Sequence, residues 1–254
     1  MARGSSLAKR VVFYAAIVGV WQTIYMANVL PETLFPSPLQ VIQTLANSAA
    51  TGELPFAVGT SLWRLFVGFV LAIAGGIAMG LYMAKYKTVH ETLGSLVLGL
   101  QSIPSIAWVP IGLIWFGLND AGIIFVVVIG TIFAMAMSTY SGIKNIPPIY
   151  IRAARNMGAK GASLLTNVVF PAALPHLVSG MRHAWGFAWR ALINAEVLFF
   201  GLVGLGFMLS IGREIFSMAH VISVMIVIMA IGLIIDRLIF SRIEKTVESR
   251  WGLR

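Results

Sequence analysis

Long apolar runs separated by short polar stretches make up most of the chain, and they are continuous rather than alternating, so they predict helices and not strands. Most come close to the ~20 residues that a helix needs to cross the hydrocarbon core of a bilayer. Six runs follow one another, over residues 11–27, 61–84, 92–116, 121–140, 181–203 and 219–240. The third is interrupted by Pro104 and Pro110, which remove backbone donors and predict a broken helix. Between the first two runs, Phe35-Pro-Ser-Pro38 is a stiff, extended entry to a short helix over residues 39–50, with Ser37 in the capping position. Between the fourth and fifth lies a polar island, residues 144–180. It predicts two short amphipathic helices, residues 148–157 and 161–169, with Gly158 stopping the first. Gly76-Ile-Ala-Met-Gly80 presents a small-residue face for close packing within the chain. Residues 201–206 predict a flexible glycine-rich segment and residues 211–218 a polar turn.

Composition agrees with a polytopic membrane protein. Of 254 residues, 59% are hydrophobic and 11% charged, with a mean hydropathy of +0.90, whereas soluble domains carry about 25% charged residues. With no cysteine, disulfides and thiol chemistry are excluded. The net charge of +9 does not indicate nucleic acid, because the cations gather at the ends of apolar runs. Arg3, Lys9 and Arg10, then Lys85 and Lys87, then Lys144, Arg152, Arg155 and Lys160, then Arg242, Lys245, Arg250 and Arg254 fall on one side; the other side has Arg213 and, at a span edge, Arg64. Positive residues favour the cytoplasmic side, so both termini and the polar island are expected there. The first run is longer than a signal-peptide core and is expected to stay as an uncleaved span.

Candidate chemistry is sparse. There is no Gly-x-x-x-x-Gly-Lys-[Ser/Thr] loop and no His-Glu-x-x-His, so the chain is expected to carry no cofactor, and any ATP and Mg belong to a partner. The residues of interest are polar groups at membrane depth: Gln101, Ser102 and Ser105 around Pro104, and Arg190, Asn194 and Glu196 on the fifth run. Irregular backbone at that depth must be buried in protein or line a wet cavity. The alternative is a plain kink in which Ser102 and Ser105 re-bond the freed carbonyls. Arg190 lies about 12 Å along the helix from Arg182, at 1.5 Å per residue, and so falls near the bilayer midplane if Arg182 marks the inner membrane edge. An arginine there costs at least ~2.5–3.5 kcal/mol and must face protein or water. It serves either a passing anion or polar solute, or a structural pair with Glu196 or with another helix, at the dimer seam. Glu196 lies about 120° around the helix from Arg190, so its partner is expected on another helix. Asp236 and Arg237 are expected to form a local pair or a snorkelling anchor.

Ala153-Ala154, Gly158-Ala159 and Pro171-Ala-Ala-Leu-Pro175 resemble the "EAA" coupling loop of bacterial ABC importer permeases, with Arg152 standing where that loop has its glutamate. Ile103-Pro-Ser-Ile-Ala-Trp-Val-Pro110, Trp115-Phe-Gly117, Ala188-Trp-Arg-Ala-Leu-Ile-Asn-Ala-Glu196, Gly204-Leu-Gly206, Phe35-Pro-Ser-Pro38 and Arg250-Trp-Gly252 are similar to the nitrate/sulfonate/taurine/bicarbonate-type permeases. The resemblance implies an all-α, six-span type I importer permease fold, not an enzyme. It divides the chain into residues 1–57 (first span and outer loop), 58–242 (permease core) and 243–254 (cytoplasmic tail). It further implies a homodimeric pore in the bacterial inner membrane, in contact with lipid, with cytoplasmic ATP-binding subunits and an extracytoplasmic solute-binding protein. Arg152, Ala153, Ala154, Gly158, Ala159, Pro171 and Pro175 would couple to the ATPase. Gln101, Ser102, Ser105, Arg190, Asn194 and Glu196 are the candidates for the solute path. A small anion is the expected cargo, a neutral heterocycle such as a pyrimidine vitamin precursor the alternative. An ion-gradient-driven transporter is the further alternative, but the sequence has one broken helix and no repeat.

Overall fold

The structure is a computed structural model that describes residues 2–251, with side chains from residue 8, and the described residues form helices without strands. In chain order these are α1 (Ala2–Met26) and α2 (Pro38–Ala50), α3 (Glu53–Lys85), α4 (Lys87–Gln101) and α5 (Ser105–Phe116), and α6 (Asp120–Lys144) and α7 (Pro148–Asn156). They continue as α8 (Gly161–Leu198), α9 (Leu205–Glu214) and α10 (Met218–Arg250).

Local chemistry accounts for several boundaries. Ser37 Oγ accepts the Gln40 amide at 3.2 Å while the Gln40 side chain accepts the Ser37 amide at 2.8 Å, a reciprocal cap that starts α2. Asn119 accepts the Gly122 amide in the same way and starts α6. α7 ends in a Schellman turn: Gly158 stands at φ +90°, its N–H donates to Arg155 O at 3.0 Å, and the Ala159 N–H donates to Ala154 O at 2.9 Å.

The centre of the bundle is α3 on α6 on α8. Gly68, Ala72, Gly76 and Gly80, one per turn, form the face of α3 that meets α6, and all four are buried. A methyl added at Gly76 would stand 2.6 Å from Met135 Cβ and 2.9 Å from Ile132 O. The small-residue face therefore serves intrachain packing, as the sequence predicts. Gly76→Val should lower stability by about 1–3 kcal/mol through overpacking, seen as a lower unfolding temperature of the detergent-solubilised protein. An unchanged value would refute the close α3–α6 approach. Around this seam, Leu65, Val126, Leu192 and Phe199 are buried together, and Phe69, Trp185 and Phe240 meet edge to face or tilted at 5.6–6.0 Å.

Three expectations need correction. The second short helix of the polar island is not separate: residues 161–169 run through a π-helical turn, Leu165–Val169, straight into α8. Residues 201–204 stay outside any helix and a turn follows at 215–217, but the stretch between them forms α9, whose Leu205 and Met208 are buried against Leu54 and Val224. Asp236 pairs with Arg182 of α8, not with its neighbour Arg237, because the Arg182 guanidinium meets both carboxylate oxygens at 2.8 and 2.9 Å. Four of the described helices are long and apolar enough to span a membrane (α3, α6, α8 and α10), or five if the bent pair α4–α5 counts as one crossing. α1 is 25 residues long but carries Lys9 and Arg10 ahead of its apolar run and Gln22, Thr23 and Tyr25 near its end.

Candidate functional site

α4 and α5 meet at an angle of 99°. Pro104, with ψ 138°, forms the corner and supplies no amide of its own. The corner faces α8 across a cavity of about 250 Å³, lined by Gln101, Ser102 and Ser105 from the break and by Arg190 and Asn194 from α8. Asn194 Nδ2 donates to Ser105 Oγ at 3.3 Å, which ties the two walls together. Ser102 Oγ donates to Gly99 O at 2.6 Å, a carbonyl that also accepts the Ser102 amide, while Ser105 Oγ accepts from Asn194, so the serines do not simply re-bond freed carbonyls of a kink. Arg190 Nε donates to Gly186 O at 2.9 Å, and its guanidinium lies 5.1 Å from the centre of the Phe187 ring. These contacts hold the head in place, and the lining of the cavity contains no carboxylate. Gly130 allows α6 to close over the break, since a methyl there would lie 3.0 Å from Ala191 Cβ and 3.2 Å from Ser105 Cβ.

Arg190 and Phe187 also line a second cavity, of about 510 Å³, together with Ser179, Arg182, Asp236 and Glu244. Its carboxylates are already engaged: Arg182 binds Asp236 and donates to Glu244 at 2.7 Å, and Ser179 donates to Glu244 at 2.7 Å. Arg190 thus stands in the wall shared by two polar cavities.

Glu196 is placed apart from the other five candidates. It is fully buried, with Ser61 Oγ 2.8 Å from both its oxygens, Arg64 Nη1 donating at 2.8 Å and the Gly206 N–H donating at 3.0 Å. Arg64 also binds Asp120 through Nε and Nη2 and donates to Val203 O at 2.9 Å. The partner is on another helix, as expected, but within the same chain. Gly204 and Gly206 complete the site: a methyl at Gly206 would stand 2.6 Å from Glu196 Cβ, and one at Gly204 would collide with the carboxylate. This cluster joins α3, α8 and the start of α9.

At the far end of α8, α7 lies over a groove of about 660 Å³ lined by Tyr150, Ala153, Met157, Pro171, Pro175 and Trp251, among others. Ile151 packs inward and Ala154 is buried, whereas Arg152, Ala153 and Gly158 are exposed and Ala159 is half-buried. Pro175 lies inside α8 and has no N–H to give to the carbonyl of Pro171 four residues back. That carbonyl instead accepts the indole Nε1–H of Trp251 at 3.0 Å.

Residues 72–247 match the family described as "Binding-protein-dependent transport system inner membrane component". The chain belongs to that family. A putative ABC transporter permease protein of Methanocaldococcus jannaschii is 37% identical over 229 residues, 88% of this chain and 85% of the relative. The putative aliphatic sulfonates transport permease protein SsuC of Escherichia coli is 30% identical over 236 residues, 93% of this chain and 89% of the relative. Among solved structures, the MetNI methionine ABC transporter in an inward facing conformation matches with a TM-score of 0.68 at 21% identity, over 78% of this chain and 98% of that one. The protein is therefore an ABC transporter permease, a multi-pass transport subunit and not an enzyme.

Within this permease, the sequence pointed to both walls of the first cavity but missed their aromatic complement, Phe187, Trp108 and Phe133. It also missed Ser61 and Arg64 as the partners of Glu196, and Trp251 as the partner of Pro171. For the last, the lost donor at Pro175 was the available signal, since an orphaned carbonyl calls for a substitute.

Proposed function

We propose that this permease forms, as two copies of the chain in a bacterial inner membrane, the path of an ATP-driven importer for a small organic or inorganic anion. The observation that carries the cargo class is Arg190: a permanent cation held by Gly186 O and Phe187, set in a cavity whose lining has no carboxylate to neutralise it. A relative named for aliphatic sulfonates agrees with this class. Such a solute carries a fixed negative charge and oxygen acceptors, which a guanidinium, the Asn194 amide and the Ser102 and Ser105 hydroxyls can replace for lost water.

The energy comes from ATP-binding subunits that dock on α7 from the cytoplasm, and the solute arrives on an external binding protein. α7 rests on the base of α8, and Arg190 and Asn194 lie on that same helix. A displacement of α7 is thereby carried along α8 to the wall of the cavity. Co-reconstitution with a partner ATPase and binding protein from the same organism tests the proposal. Uptake of an alkanesulfonate or of another small oxyanion should require ATP, the ATPase and the binding protein together. Uptake by the chain alone on an ion gradient would overturn it, and calorimetric binding of only neutral heterocycles to the binding protein would replace the anion.

A further inference from the structure

The loop between α6 and α8 holds a second specificity, for the chemistry of the motor that docks there; the inference rests on the reading of α7 as the coupling helix. Residues 144–180 contain Lys144, Arg152, Arg155 and Lys160 and no Asp or Glu, and all four cations are exposed. Among the described residues, none of Arg152, Arg155 and Lys160 is in an ion pair with a carboxylate, in contrast to Arg64 and Arg182.

The face of the helix fixes which cation matters most. Ile151 and Ala154 point into the chain. At 100° per residue, the direction opposite to them is occupied by Ile149 and Asn156, with Arg152 and Ala153 on either side. Ile149 is 64% exposed and Met157 is 82% exposed, values too high for residues whose only role is internal packing. Arg152 thus flanks the outward face, one turn along the helix from the exposed Ile149. A surface that buried this face against basic or neutral chemistry would strand a guanidinium without a partner, a cost of several kcal/mol.

We propose that the groove receiving α7 is acidic: an ATPase surface with at least one carboxylate placed to form a two-pronged pair with Arg152, beside an apolar recess for Ile149. Arg155 and Lys160, at the flank and beyond the helix, add steering charge. The pairing makes the chain selective for ATPases of matching polarity, because a groove lined by arginine at this position would repel it.

The test is capture of the cognate ATPase by the affinity-tagged chain in detergent, at low and high salt. Arg152→Glu should reduce capture at least tenfold, Arg152→Lys should fall in between because it keeps the charge and loses the two-pronged pairing, and an Asp or Glu to Arg exchange in the ATPase groove should restore binding to Arg152→Glu alone. Capture by the unaltered chain should weaken as salt shortens the screening distance from about 10 Å at 0.1 M to about 3 Å at 1 M. Since Arg152 is exposed, the variant should insert and melt like the parent, which a thermal scan checks. Undiminished capture by Arg152→Glu overturns the acidic groove. So does an effect confined to binding of anionic lipid vesicles, which would assign the cations to the membrane surface. If Ile149→Asp and Met157→Asp also leave capture intact, α7 is not the docking element and the coupling reading itself fails.

Discussion

Replacing Glu196 by Ala is expected to lower folding stability by about 3–5 kcal/mol, the range for removing one partner of a buried ion pair. The variant leaves Arg64, itself 2% exposed, with one charged partner instead of two. It also frees the Gly206 N–H and the Ser61 hydroxyl from their acceptor. Asp120→Asn should cost far less, about 1 kcal/mol, because that carboxylate is half-exposed. The diagnostic comparison is the double variant Arg64→Met, Glu196→Leu, which removes both charges and should be more stable than Glu196→Ala alone. Reversible unfolding in mixed micelles measures all three. Additive losses would show that the two residues are not coupled.

The second large effect is on transport. Arg190→Gln should lower anion uptake roughly ten- to hundredfold, the equivalent of the 1.5–3 kcal/mol of a hydrogen bond to a charged group. ATPase capture and melting temperature should stay near the parental values, since Arg190 makes no ion pair among the described residues and its recorded anchors are Gly186 O and the Phe187 ring. Arg190→Lys should recover part of the rate by keeping the charge while losing the planar fork. A loss of assembly in Arg190→Gln would instead make the guanidinium a structural strut. Equal uptake by parent and variant would remove it from the path.

What could be read directly from the sequence was governed by neighbours a few positions apart. The Ser37 cap, the Gly158 stop and the Gly76–Gly80 face depend on residues a few positions apart, and all three are found where the sequence puts them. The corner at Pro104 was legible for the same reason, although its angle was not. The misreadings concern residues whose environment is supplied from afar. α8 looked like a loop followed by a span because Pro171, Pro175 and the polar residues before them disfavour a continuous helix locally. Packing by α7 and a donor 80 positions away support it instead. Glu196 finds Arg64 132 positions away. The glycines at 204 and 206 read as flexibility, yet they are small because a carboxylate and its helix press against them. Arg182 was taken only as a marker of the membrane edge, since nothing in its own segment announces Asp236 or Glu244.

The indole of Trp251 on the Pro171 carbonyl joins the end of α10 to the root of α8. α7 borders the same groove. A tug on that short helix therefore lands on a yoke with two arms, one running up through Arg190 and the other up α10. Both arms are cross-braced part-way by Arg182 and Asp236, so they swing as a pair rather than one past the other. Replacing Trp251 by Ala would leave α7 resting on a single arm.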